Sequence, residues 1–174
     1  MMKHIFLLTV LACFSCFGNL KAQEDPKSTA FTLYSTERPV PSAVYYDLQN
    51  QEHSIADAMG KVLIINFWKP GCRLCLIELP ALDRLQNDYK EKGVQVIAIA
   101  EETDTKAVQE ALYTRRLNNI TAGYDKDGKM LKALGGQKVP RTLLINKAGK
   151  EVGFIQGLAD FDAPTLRQQI DQLL

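Results

Sequence analysis

The chain is poor in the two residue types that most often bind transition metals, with four cysteines and two histidines among 174 residues. Beyond residue 22 only His53, Cys72 and Cys75 remain. A structural zinc site takes four ligands and a catalytic zinc site usually three. We therefore expect no metal and no other cofactor within one copy of the chain. A metal shared between two chains stays open as an alternative.

The chain also lacks a block of charge of either sign. Its formal net charge is +1, and charged residues make up 24% of the sequence. Nucleic-acid binding proteins usually carry clustered lysine and arginine, which contact the phosphate backbone. We therefore expect no nucleic-acid partner.

No apolar run is long enough to cross a bilayer, which takes about 20 residues. The longest run, Ile5–Phe17, has 13 residues and follows Lys3 near the N-terminus. Leu20–Ala22 then places small or apolar residues at the −3 and −1 positions before Gln23. This three-part pattern is typical of a secretory signal peptide. We predict that residues 1–22 are removed and that the protein is exported, to the periplasm if the source is a bacterium.

The leader contains the other two cysteines, Cys13 and Cys16. Lipidation of one of them, or retention of the leader as an anchor or a buried helix, are the alternatives to cleavage. If cleavage occurs, the exported protein keeps only Cys72 and Cys75. Exported proteins meet an oxidising compartment, in which such a pair can form a disulfide.

The exported part reads as a short tail, residues 23–42, followed by one domain, residues 43–174. The tail is polar and proline-containing, although Phe31–Tyr34 could form a short edge strand. At the start of the domain, Val44–Leu48 and His53–Ile55 flank a polar tripeptide and predict an N-terminal β-hairpin.

The rest of the domain alternates between buried strands and amphipathic helices. Val62–Phe67 and Val94–Ala100 are apolar runs of the kind found in strands covered on both faces. Strand, helix, strand and helix followed by a β-hairpin and a last helix predict an α/β fold with a central mixed sheet flanked by helices. The predicted helices span Cys72–Lys92, Thr105–Leu117, Met130–Leu134 and Ala163–Leu174, and the predicted hairpin strands are Thr142–Asn146 and Val152–Gln156.

Cys72 and Cys75 lie between the first buried strand and the helix that follows it. This is the carboxyl end of the strand, where binding and catalytic sites of open α/β sheets usually lie. A disulfide that closes four residues adds about 2 kcal/mol at most, so a purely structural staple is the weaker explanation. At a helix N-terminus the macrodipole lowers a thiol pKa, and Lys69 and Arg73 add positive charge. We expect Cys72 to be the exposed nucleophile and Cys75 the buried thiol that resolves a mixed disulfide.

Several short motifs in this region occur in the same order as in one known protein family. Asn66–Trp68 precedes a Cys-x-x-Cys-x-x-Glu-x-Pro pattern at residues 72–80, and Val139-Pro140-x-Thr142 follows further on, ahead of Leu143–Lys150. Over residues 40–174 the chain resembles the TlpA/ResA-type extracytoplasmic thioredoxin-like proteins.

This resemblance implies a thioredoxin fold, thiol–disulfide oxidoreductase activity and a cis peptide bond at Val139–Pro140 beside the two cysteines. Glu78 would carry a proton or modulate thiol pKa, unless it is an ordinary solvated helix residue. Trp68 would pack over the site, or else fill the core. The implied catalytic residues are Cys72, Cys75, Glu78 and Pro140, and the implied substrate contacts are Trp68, Val139 and Arg141.

The resemblance further implies that the partners are protein thiols and disulfides, that a membrane-bound thiol relay supplies electrons, and that the protein reduces rather than oxidises. Cytochrome c biogenesis, repair of a misoxidised envelope protein and a relay role are all open, as is the oligomeric state. The family usually has an aromatic residue before the first cysteine, whereas this chain has Gly71. The surface offered to a partner is therefore expected to differ.

Two rival functions share the expected fold. A thiol peroxidase would need threonine or serine three residues before its reactive cysteine, but Lys69 and Cys72 occupy those positions before Cys72 and Cys75. A pure binding module would use the groove beside Pro140 to hold an extended segment by strand pairing.

Overall fold

The computed structural model describes residues 26–174. Their strands form one eight-stranded mixed sheet in the order β1-β8-β7-β4-β5-β6-β2-β3. The strands are β1 (Thr32–Pro39), β2 (Val44–Asp47), β3 (Glu52–Ser54), β4 (Val62–Trp68), β5 (Val94–Ala100), β6 (Thr121–Tyr124), β7 (Arg141–Ile145) and β8 (Lys150–Gln156). The helices are α1 (Arg73–Tyr89), α2 (Thr105–Thr114), α3 (Lys129–Ala133) and α4 (Pro164–Asp171), with short 3₁₀ turns at Ile55–Ala58 and Lys90–Lys92.

Strand β4 lies in the middle of the sheet, and every one of its residues is buried. It pairs in parallel with β5 and antiparallel with β7. The register sets Trp68 opposite Ala100 and Phe67 opposite Arg141. The carboxyl ends of β4 and β5 and the start of β7 therefore lie together at one end of the central strands. We call this end of the strands the site edge.

The two faces of the sheet are covered differently. Strands β4, β5 and β6 pair in parallel, and the helices α1 and α2 that connect them bury side chains in the same apolar cluster, so both helices lie on one face. Buried side chains of α1, α2 and α4 pack there in one apolar cluster, on what we call the helix face. A second cluster, formed with α3 and the Ile55–Ala58 turn, covers part of the opposite face.

Helix α1 carries the CxxC motif at its first turn and buries four positions that line up on one side: Cys75, Leu79, Leu82 and Leu85. The α-helix continues through Pro80 as far as Tyr89, and a 3₁₀ turn extends it. Gly93 closes this turn with φ of 82°, a left-handed conformation that glycine adopts without strain.

Two parts of the sheet differ from the sequence-based expectation. The tail, for which the sequence suggested only a short edge strand at Phe31–Tyr34, forms the longer edge strand β1 (Thr32–Pro39) against β8. The strand is mostly exposed, so it lacks the alternating apolar pattern that marks a half-buried strand. Strand β6 was not predicted, because its four residues, Thr-Ala-Gly-Tyr, contain no apolar run.

The segment before β1 is attached to the domain. Phe31 is buried, its backbone N–H donates to Gln169 Oε1 at 2.7 Å, and Gln169 Nε2 donates back to its carbonyl at 3.1 Å. The predicted signal peptide, residues 1–22, lies outside the described residues, as do Cys13, Cys16 and the expected cleavage point at Gln23. Within residues 26–174 no helix combines the length and apolarity needed to cross a membrane.

Candidate active site

Cys72 and Cys75 form a disulfide at the site edge, where α1 begins. Cys72 is the N-cap residue of α1, and its Sγ accepts a hydrogen bond from the Cys75 backbone N–H at 3.2 Å. Cys75 is fully buried, whereas Cys72 is only partly buried. Cys72 is therefore the sulfur that an incoming group can reach, in the position that we expected for the nucleophile.

The positive charge of Lys69, which the sequence analysis placed near the disulfide, is paired in the structure. Lys69 Nζ lies 3.3 Å from Glu101 Oε2, and both side chains are partly exposed. The paired carboxylate offsets much of the positive potential that Lys69 would contribute to a thiolate. The helix N-terminus remains as a source of thiolate stabilisation at Cys72.

Glu78 lies three residues after Cys75 on α1 and is only 1% exposed. Its Oε1 accepts a hydrogen bond from Asn66 Nδ2 at 2.7 Å, and its Oε2 accepts one from the Ala159 backbone N–H at 3.0 Å. Burial raises the pKa of Glu78 to about 7, although the two hydrogen bonds, which favour the carboxylate, oppose that rise. Glu78 can thus exchange a proton near neutral pH, and it is not the solvated helix residue of the alternative interpretation.

Asn66 connects Glu78 to the sheet. Its Nδ2 also donates to Thr142 Oγ1 at 2.9 Å, so the amide joins β4, β7 and α1. Its Oδ1 is buried and has no hydrogen-bond partner among the described residues. The sequence reasoning identified neither Asn66 as a partner of Glu78 nor Thr142 as the residue that accepts from Asn66. A polar residue inside the apolar run of β4 was the available signal, because buried polar groups usually have a specific partner.

The Val139–Pro140 peptide bond is cis, as the resemblance implied. Because Arg141 pairs with Phe67, the loop that contains this bond lies at the site edge, next to the end of β4. Pro140 is buried and Val139 partly buried. Val139 and Cys72 both pack against the apolar cluster of the helix face.

The structure places the other two expected substrate contacts inside the domain. Trp68 is fully buried, which fits the interpretation that it fills the core. Arg141 is 8% exposed, with its guanidinium carbon 4.7 Å from the centroid of the Phe154 ring. Apolar packing at β4 and ring packing at β8 therefore hold both side chains away from the surface, in supporting positions.

Known proteins resemble this chain in sequence. A family model described as Redoxin matches residues 35–169. The thiol-disulfide oxidoreductase ResA of Bacillus thuringiensis subsp. konkukian is 36% identical over 121 residues, which cover 69% of each chain. ResA of Geobacillus thermodenitrificans is 30% identical over 158 residues, covering 90% of this chain and 86% of that protein.

Solved structures show the same fold. A Chlorobium tepidum protein assigned as a thiol:disulfide interchange protein DsbE superposes with a TM-score of 0.72 and 25% identity, covering 79% of this chain and 96% of that one. A Neisseria meningitidis protein assigned as a thioredoxin gives a TM-score of 0.67 and 34% identity, covering 85% and 91%. The fold and the CxxC site thus define a thioredoxin-like oxidoreductase. The chain belongs to the Redoxin family and stands with its ResA relatives among the thiol–disulfide oxidoreductases.

Proposed function

We propose that this protein reduces or exchanges disulfides of protein substrates outside the cytoplasm, with Cys72 as the attacking thiol. The observation that carries the proposal is the asymmetry of the pair, in which the sulfur at the helix start is the accessible one and its partner is buried. The buried Glu78, one helical turn further on, adds a group that can hold a proton near pH 7.

The reaction transfers two electrons from the Cys72/Cys75 dithiol to a substrate disulfide. The Cys72 thiolate attacks one sulfur of a substrate disulfide, forms a mixed disulfide and releases the other substrate sulfur as a thiolate. Cys75 then loses its proton and attacks Cys72 Sγ, and the second substrate thiolate leaves. The substrate is reduced and the protein is oxidised to the Cys72–Cys75 disulfide found in the structure.

Glu78 fits the second step of this sequence. Cys75 is buried, and a buried thiol resists ionisation because low polarity disfavours the thiolate. A carboxylate three residues away on the same helix, with a pKa of about 7, can accept that proton and later return it. Asn66 and Ala159 hold both carboxylate oxygens in place for this transfer.

The cellular setting of the proposal rests on the leader pattern and on the ResA relatives. Export would bring the protein to an oxidising compartment, so a reductase there needs its own electron supply. A membrane-bound thiol relay is the donor that we propose. Proteins with misformed disulfides and apocytochromes with paired cysteines are substrates of the right chemistry.

Trapping of the mixed disulfide tests the assignment of Cys72. A Cys75→Ser variant cannot resolve the intermediate, so a disulfide-bonded peptide should accumulate on it in a form that dithiothreitol releases. The matched Cys72→Ser variant keeps one thiol of the pair and should trap little, since Cys75 is buried. Stronger trapping by Cys72→Ser would reverse the two roles, and trapping by neither variant would overturn the proposed activity.

A further inference from the structure

The loop at Lys138–Pro140 is held by the side chain of a residue two strands away from β4. Gln156, the last residue of β8, donates through Nε2 to the Lys138 carbonyl at 3.2 Å and to the Pro140 carbonyl at 3.0 Å. Its Oε1 accepts a hydrogen bond from Arg141 Nη1 at 3.3 Å. Both amide hydrogens and the amide oxygen are thereby used.

The orientation of this amide follows from its neighbours. Reversal would set the amide oxygen against two carbonyl oxygens and the amide hydrogens against the guanidinium donors of Arg141. Glutamine is suited to the position because it offers two donors on one side and an acceptor on the other. Arg141 is itself held by Phe154, so the group that orients Gln156 is fixed.

The two carbonyls that Gln156 binds flank Val139. The Pro140 carbonyl also accepts a hydrogen bond from the Gly157 backbone N–H at 2.9 Å. Between residues 26 and 174, no hydrogen bond involves the Val139 backbone N–H or carbonyl. The loop is therefore fixed on both sides of a residue whose own peptide groups stay unpaired at the site edge.

We propose that Gln156 is a positioning residue for substrate recognition. It holds the Lys138 and Pro140 carbonyls so that the Val139 backbone can pair, as in a β-strand, with an extended segment of the protein substrate. This inference rests on the proposed function, because such a segment would bring its disulfide to Cys72. Gln156 acts through the loop and not on the sulfurs, so its removal should weaken protein or peptide substrates and spare small ones.

The experiment compares two substrates across matched variants of the full exported chain. Gln156→Glu keeps the acceptor for Arg141 and loses both donors, whereas Gln156→Met removes all three hydrogen bonds at nearly the same size. Gln137→Glu introduces the same charge into the neighbouring chain segment and serves as the control. The protein is reduced beforehand and its oxidation by excess substrate is followed: a disulfide-bonded peptide gives the limiting rate (kcat) and the half-saturating concentration (KM), and hydroxyethyl disulfide gives the rate with a small substrate. Thermal unfolding checks that each variant folds.

We expect both Gln156 variants to raise the peptide KM about tenfold, the effect of losing hydrogen bonds worth about 1.4 kcal/mol. The kcat and the hydroxyethyl disulfide rate should change by less than about twofold. Gln137→Glu should behave like the wild type. An unchanged peptide KM in both Gln156 variants would overturn the inference and leave the proposed function standing. Equal losses with both substrates would also overturn it, because Gln156 would then act on the thiols. A wild-type protein inactive on both substrates would instead refute the proposed function.

Discussion

Two polar networks lie beneath the site edge, one on each face of the sheet. On the helix face, the Glu78 carboxyl group is held by Asn66 and by the Ala159 backbone. On the opposite face, the guanidinium group of Arg141 is held by Phe154 and Gln156. Both groups are more than nine-tenths buried, yet only the carboxyl group can lose its charge at ordinary pH. Burial therefore acts differently on the two groups: the Glu78 carboxyl group can be neutralised by a proton, whereas the Arg141 guanidinium group cannot lose its charge in this way.

The difference follows from the chemistry of each group. A buried carboxyl group escapes the cost of desolvation by taking up a proton, which is why the pKa of Glu78 rises to about 7. A guanidinium stays protonated, so it needs other compensation. The Phe154 ring face and the Gln156 amide supply part of it, while Arg141 Nε has no hydrogen-bond partner among the described residues. We expect mutations in the two networks to differ most clearly in how their effects depend on pH.

The largest effect should come from Asn66→Ala, which removes the donor to Glu78 and a bond to Thr142. We expect the free energy of unfolding to fall by about 3 kcal/mol at pH 8, since a buried carboxylate loses a charge-assisted hydrogen bond. At pH 5 Glu78 is protonated and the loss should be smaller. Urea unfolding at both pH values measures this, with Thr142→Val as the milder control. Equal losses at the two pH values would contradict the link to Glu78.

Glu78→Gln should remove a pH dependence that the wild type shows. The folded-state pKa of Glu78, about 7, is raised above its ordinary value of 4.5. The stability that this group contributes is then fully present below pH 4.5 and is lost as pH rises to about 7. The wild type should lose about 3 kcal/mol across that window relative to the variant.

The same variant tests the catalytic part of the assignment. If Glu78 couples to the thiols, the pH profile of iodoacetamide alkylation of the reduced pair should shift in Glu78→Gln. Glu91→Gln, an exposed change of the same type, is the control. Identical alkylation profiles in wild type and Glu78→Gln would leave Glu78 a structural residue only.

Arg141→Met should give the smallest of these effects. The change removes one cation–π contact and one hydrogen bond but also a buried charge, so we expect a loss of about 1 kcal/mol in unfolding free energy. The loss should not vary between pH 5 and pH 8, because the guanidinium is charged throughout. A pH-dependent loss comparable to that of Asn66→Ala would remove the contrast between the two networks.

The sequence predicted β4, β5 and α1, which bury much apolar surface, and the CxxC motif between β4 and α1. The runs that became β4 and β5 and the leucine pattern of α1 are strong signals because tertiary packing and local pattern agree there. Strand β1 gave a weaker signal, which indicated only a short edge strand at Phe31–Tyr34, since an exposed edge strand depends on backbone pairing with a distant strand and on contacts such as the Tyr34–Phe154 ring stack.

The candidate site was only partly visible in the sequence. The CxxC pair and Glu78 are close together along the chain, so the spacing of one helix places them. Glu78 bonds to Asn66 and Ala159, and Asn66 bonds in turn to Thr142. These residues come from three other segments, which only the tertiary fold brings together. Gln156 escaped notice for the same reason, because nothing local distinguishes it from a solvated strand end.

The redox equilibrium of the Cys72–Cys75 pair tests the central claim most directly. Trp68, the single tryptophan in the chain, is buried at the end of β4 just before the CxxC loop and can report the transition by fluorescence in dithiol buffers. For a reductase we predict a reversible two-electron transition with a midpoint potential of about −270 mV, the value for thioredoxin. A midpoint potential of about −120 mV would indicate an oxidant and reverse the proposed direction of electron flow. The absence of a reversible transition would contradict a redox role for the Cys72–Cys75 pair.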